Sequence, residues 1–214
     1  QPVHPSNGIP HWPWALRNSL LHRNAMTLLG PKLQRAISTL ASTLPTTEQG
    51  TEHPAALIVT SGLPGSGKSH FSRRLARHLP LIVLNSDALR KAIWVKPRYT
   101  RKENARLFVA IQTLTRLLLT SGTSVVIDAT NILEVHRKDF SDIAETLNVR
   151  FLMIHLDTPE EIIRLRLKQR QLQLDPSDQS EAGWEVYESM RSRVEPLQLE
   201  HLSISSSSEG SLVL

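Results

Sequence analysis

Cysteine is absent from all 214 residues, which excludes disulfides and thiolate metal sites and leaves no sign of an oxidising compartment. Aromatics are sparse at 5%. No apolar run approaches the ~18 residues that a membrane-crossing helix needs. The first residues also lack the basic, apolar and small-residue order of a secretory signal. The nine histidines are scattered, without the His-x-x-x-His spacing of a helical metal site. What remains is a chain with 40% hydrophobic and 21% charged residues, as expected of one globular domain with an appendage. A cytoplasmic enzyme is the expectation. The net charge of +5 suits a polyanion partner, but a nucleotide-binding protein collects cations as well.

Residues 1–54 read as an irregular and helical extension. Pro2, Pro5, Pro10 and Pro13 break up the start, and Leu16, Leu20 and Leu21 then recur at helical spacing. Leu33, Ile37 and Leu40 continue that spacing beyond Gly30-Pro31, so two helices are expected between 14 and 41. Packing on the main domain is the reading preferred for them over self-association. Residues 43–54 have the composition of a linker, and the serine-rich stretch 205–214 that of a disordered tail.

Between these, residues 55–204 alternate short β-branched runs with helical stripes. The runs are Ala55–Val59, Leu81–Leu84, Val125–Ile127 and Phe151–Ile154, with a short last strand at His201–Ile204. Continuous apolar runs of this length suit strands buried on both faces of a parallel sheet. Leu107, Ile111, Leu114 and Leu118 make one helical stripe, and further helices are expected over 134–147, 159–173 and 182–194. The expected architecture is a three-layer α/β/α fold around a mostly parallel five-stranded sheet.

Immediately after the first strand stands Gly62-Leu63-Pro64-Gly65-Ser66-Gly67-Lys68-Ser69, followed by His70 at the head of a helix. This is the G-x-x-x-x-G-K-[ST] pattern of the P-loop, or Walker A motif. Its glycines let successive backbone N–H groups face an anion. Lys68 carries a mobile cation to the β- and γ-phosphates, and Ser69 offers a hydroxyl to Mg²⁺. ATP with Mg²⁺ is the expected ligand.

Ligands on open α/β sheets bind beyond the carboxyl ends of the strands. There the second strand ends in Asn85-Ser86-Asp87, with Arg90 one helical turn on. Asp87 could take a proton from an acceptor hydroxyl while Arg90 holds an anion of that acceptor; the bland alternative is an N-capping aspartate beside a solvated arginine. The third strand ends in Asp128-Ala129-Thr130-Asn131, where a carboxylate could hold Mg²⁺ or orient Arg90 by a salt bridge. On the helix after Thr158-Pro159, Arg166 and Arg170 share a face suited to closing over phosphates, whereas Glu160, Arg164 and Lys168 form a solvated series. Lys96, Arg98, Arg101, Lys102 and Arg106 cluster around Tyr99 as either an anion surface or a solvated loop. Trp184 and Tyr187, one turn apart, suit core packing better than contact with a base.

These motifs, in this order, resemble the predicted-kinase family of P-loop proteins similar to the kinase domain of polynucleotide 5′-hydroxyl kinase, over about residues 55–204. Zeta-toxin-like kinases, which phosphorylate a nucleotide sugar, share a related plan. The resemblance implies Asp87 as general base, Arg90 on the acceptor's phosphate, and Lys68 and Ser69 on ATP–Mg²⁺. It also implies Arg166 and Arg170 on the transferring phosphates, with Asp128 ordering the arrangement. The function expected is an ATP-dependent kinase acting on a hydroxyl acceptor, with a polynucleotide 5′-hydroxyl as one candidate. A nucleotide-dependent ATPase or switch, and a kinase of a nucleotide sugar or other small molecule, are the alternatives.

Overall fold

The structure, a computed structural model, describes residues 54–172, 182–206 and 212–213. The expected N-terminal helices, the expected helix break at 175–180 and the centre of the serine-rich stretch lie outside those residues.

Five strands run parallel: β1 (Ala56–Ser61), β2 (Leu81–Asn85), β3 (Ser124–Asp128), β4 (Arg150–Asp157) and β5 (Leu202–Ser206). The order across the sheet is β2-β3-β1-β4-β5, with β1 at the centre. A two-residue β6 (Leu212–Val213) joins the β5 edge antiparallel, pairing Ser205 with Val213 and Ser206 with Leu212. The five-stranded parallel sheet is as expected. At those four residues the disordered tail is not, because backbone pairing along an open edge satisfies N–H and C=O groups whatever side chains are attached.

The helices follow the stripes. They are α1 (Lys68–His78), α2 (Ser86–Ile93), α3 (Arg101–Thr120), α4 (Glu134–Thr146), α5 (Glu160–Leu172) and α6 (Trp184–Arg191). One face of the sheet (Leu57 and Val59 of β1, Val125 and Ile127 of β3) packs on Leu107, Ile111 and Leu114 of α3 and on Phe140 and Ile143 of α4. The other face (Ile58, Val126, Ile154, Leu156, Ile204) packs on Phe71 and Leu75 of α1. Burial on both faces explains the unbroken apolar runs. A third, small cluster joins Ile163 and Leu167 of α5 to Tyr187 of α6, with Leu63 of the glycine-rich loop against it.

Candidate functional site

The phosphate loop of the site leaves the end of β1. Gly62 leaves the strand with φ 149°, and its N–H donates to the Thr130 carbonyl at 3.0 Å. A Cβ there would sit 2.7 Å from Ser66 Oγ and 2.9 Å from the Leu156 carbonyl oxygen, so only glycine fits. The loop ends at Gly67, whose φ of 98° starts α1 at Lys68. The first turn of α1 contains no acidic residue. Its open N–H groups and the positive end of its dipole therefore favour a bound phosphate.

Lys68 folds back over this loop and donates to the Leu63 carbonyl at 2.9 Å and to Ser66 Oγ at 3.4 Å. Burial pushes its ammonium down to about 8, against the opposing pull of the Asp128 and Asp87 carboxylates, and Arg170 lowers it further. Burial and four neighbouring arginines, led by Arg73, also lower the His70 imidazole at the mouth of the loop. That keeps His70 neutral near pH 7.

Three polar residues brace the loop, and only one of them stood in an expected motif. Asn131 Nδ2 donates to the Thr60 carbonyl at 2.8 Å, and its own carbonyl accepts from Ser61 Oγ at 3.2 Å. Thr158 Oγ1 donates to the Ser66 carbonyl at 3.0 Å, tying the end of β4 to the glycine-rich turn. Arg137, fully buried, donates to the Asn131 carbonyl at 3.0 Å and to the carbonyls of Glu195 and Pro196 at 3.1 and 2.6 Å. Arg137 also pairs with Glu134 at 2.5 Å. In the sequence Arg137 was one more arginine on an amphipathic helix, and nothing in its spacing marks it as interior.

Beyond the carboxyl ends of the strands lies one cavity of about 950 Å³. Lys68, Ser69 and His70 line it together with Asp87, Arg90, Asp128, Arg166 and Arg170, so the expected site residues converge. Pro64, Gly65 and Gly67 of the loop line it too; Gly62, Leu63 and Ser66 shape the turn from behind. Arg166 also donates to the Gly65 carbonyl at 3.3 Å, which holds α5 against the loop.

Two alternatives for the acceptor side do not hold. Asn85, not Asp87, caps α2: its side chain accepts from the Ala88 N–H at 2.8 Å. Asn85 Nδ2 also donates to Asp128 at 2.6 Å, so the partner of Asp128 is an amide and not Arg90. Arg90 is buried and turns to α3 instead, donating to Glu103 and to Asn104, each at 2.8 Å, with the Tyr99 ring 4.7 Å from its guanidinium. Hydrogen bonds from the backbone of Arg98, from Arg90 and from the backbone of Tyr99 hold the Glu103 carboxyl below its usual range despite burial. The Thr100-x-x-Glu103 capping-box pattern marks only the start of α3: Thr100 caps it, accepting from the Glu103 N–H at 3.2 Å, while the Glu103 carboxylate turns to Arg90 and the Arg98 N–H.

The remaining candidates separate as physical chemistry dictates. Arg101, Lys102 and Arg106 lie in the first turns of α3, not in a loop, and are exposed. Arg164 is solvated, bridged to Glu160 at 3.2 Å and stacked over Trp184. Trp184 and Tyr187 stack with ring centroids 4.6 Å apart, and Tyr187 is buried against Ile163 and Leu167. No helix of the described residues is long and apolar enough to cross a membrane.

Known proteins resemble parts of this chain. The chain is 28% identical over 119 residues to an L-seryl-tRNA(Sec) kinase of Methanococcus maripaludis, covering 51% of this chain and 44% of that protein. It is 29% identical over 114 residues to an adenylyl-sulfate kinase of Myxococcus xanthus, covering 51% of this chain and 62% of that protein. The matches thus span less than two thirds of either relative. Among solved structures, the APS kinase of Mycobacterium tuberculosis in complex with AMPPNP and APS superposes with a TM-score of 0.54 at 18% identity, over 72% of this chain and 89% of that one. At that identity it shows the shared P-loop fold. The family described as AAA domain matches residues 57–197, and the chain belongs to it.

Proposed function

We propose that the protein is an ATP-dependent kinase that transfers the γ-phosphoryl group to a hydroxyl acceptor. The observation that carries this reading is the joining, in one cavity, of the phosphate-binding Lys68 with the carboxylate of Asp87 and the α5 arginines Arg166 and Arg170. The kinase names of both curated relatives support it. Asp87 takes the acceptor's hydroxyl proton as the new O–P bond forms and the bond to the ADP oxygen breaks. Lys68, Arg166 and Arg170 stabilise the charge that spreads over the phosphoryl oxygens.

Mg²⁺ fits the residues present. Among the described residues no group of three His, Cys, Asp or Glu side chains forms a metal cage. Mg²⁺ bound with phosphates needs only one or two protein oxygens and keeps its waters. The Ser69 hydroxyl and the Asp128 carboxylate, both on the cavity wall, supply that donor set. When bound, the ion neutralises phosphate charge. In this reading Arg90 organises the acceptor wall through Glu103 and Asn104 instead of serving as the anion holder.

The deciding measurement is transfer of labelled γ-phosphate to a panel of 5′-hydroxyl oligonucleotides, nucleotide sugars and small polyols. Asp87→Asn lowers transfer to the accepted member by about 100-fold or more while ATP binding persists. Loss of ATP binding in that variant refutes the base role. ATP turnover indifferent to every acceptor refutes the kinase and favours the ATPase or switch.

A further inference from the structure

The sheet face that packs on α1 is covered unevenly. Phe71 and Leu75 pack against this cluster, which includes Ile204 of β5, but the first residues of β4 and β5 stand outside it. Side chains alternate along a strand, so Leu152 shares a face with Ile154 and Leu156, and Leu202 shares it with Ile204. Ile154 pairs with Leu202 in register, which sets Leu152 on the diagonal from Leu202, ~7–8 Å away. Leu152 is 38% and Leu202 54% exposed, whereas Ile154 and Ile204 beside them are at 3% and 4%. A single exposed leucine is ordinary; two neighbours that continue a buried cluster form a patch.

The patch lies where the upstream chain arrives. Ala56 pairs with Arg150, so β1 and β4 begin side by side, and Leu152 is two residues into β4. Upstream stand residues 1–53, with Leu33, Ile37 and Leu40 at helical spacing. Residues 43–54 between them reach up to ~40 Å when extended.

We propose that the leucine-bearing segment 14–41 docks on this β4–β5 face of its own chain, with Leu33, Ile37 and Leu40 over Leu152 and Leu202. A second copy is the weaker occupant. The patch is far smaller than a stable dimer interface, and a short tether holds the segment at millimolar effective concentration. The inference is independent of the kinase reading.

The absence of cysteine makes the test clean. In the full chain, Leu202→Cys is combined in turn with Leu33→Cys, Ile37→Cys and Leu40→Cys and treated with a short bis-maleimide. At least one pair should crosslink within a single chain about fivefold or more faster than the same upstream cysteine paired with Val95→Cys, because docking concentrates the segment at one face. Val95 is 98% exposed and follows α2, which packs on the opposite face of the sheet. Rates equal to that control, or crosslinks formed only between two chains, overturn the proposal. As a second readout, Ile37→Asp should speed maleimide labelling of Leu202→Cys several-fold, and an unchanged rate overturns it as well.

Discussion

Lys68→Met tests the energetics of the phosphate loop in the nucleotide-free protein. The Lys68 ammonium is buried and falls from 10.5 to about 8. At 1.36 kcal/mol per unit, keeping that charge in the folded state at pH 7 costs on the order of 3 kcal/mol. The compensation is two hydrogen bonds, to the Leu63 carbonyl and Ser66 Oγ, worth about 1 kcal/mol each. Methionine fills a similar volume without charge, so the variant should be more stable than wild type by about 1 kcal/mol at pH 7. The sign then changes with pH. Between about 8 and 10.5 the unfolded lysine holds a proton that the folded one has lost, so wild-type stability gains with rising pH in that window. By pH 9.5 the cost has shrunk by roughly 2 kcal/mol, and wild type should overtake the variant by about 1 kcal/mol. Urea unfolding of both proteins from pH 7 to 9.5 measures this directly. A difference that stays constant across that range refutes the buried-charge argument. The same variant should lose ATP binding, since the buried cation it removes is the one a triphosphate needs.

Arg166→Ala and Arg170→Ala should each lower kcat by about 100-fold or more, with smaller changes in KM for ATP, if the α5 arginines act on charge that develops during transfer. An unchanged kcat in both places them outside the chemistry. Arg137→Met should destabilise the protein by about 1–3 kcal/mol in urea unfolding, because it leaves the buried Asn131 carbonyl and the half-buried Glu134 carboxylate without their partner and unties the backbone at Glu195 and Pro196. A loss below about 1 kcal/mol means that water satisfies those groups.

Local pattern was enough for the phosphate loop and for the elements around it. The loop needs glycines at fixed offsets because of backbone angles, and Gly62 and Gly67 adopt the angles their positions demand. Strands buried on both faces write their burial into consecutive residues, so β1 to β4 were legible within a residue or two apart from the far end of β4. Convergence of Asp87, Asp128, Arg166 and Arg170 followed from each standing at a carboxyl end of a parallel strand or on the helix after it.

Partner choice was not legible. Arg90 answers to Glu103, Asp128 to Asn85 and Arg137 to a loop near residue 195, and each pairing crosses from one element to another. A charge in the sequence declares that it needs compensation when buried; it does not declare by whom. Local sequence therefore determined that a triphosphate cradle is present and which charged groups stand near it. The tertiary structure decided which of those groups are already neutralised, because burial and hydrogen-bond distance exist only once β2, β3 and α3 lie side by side.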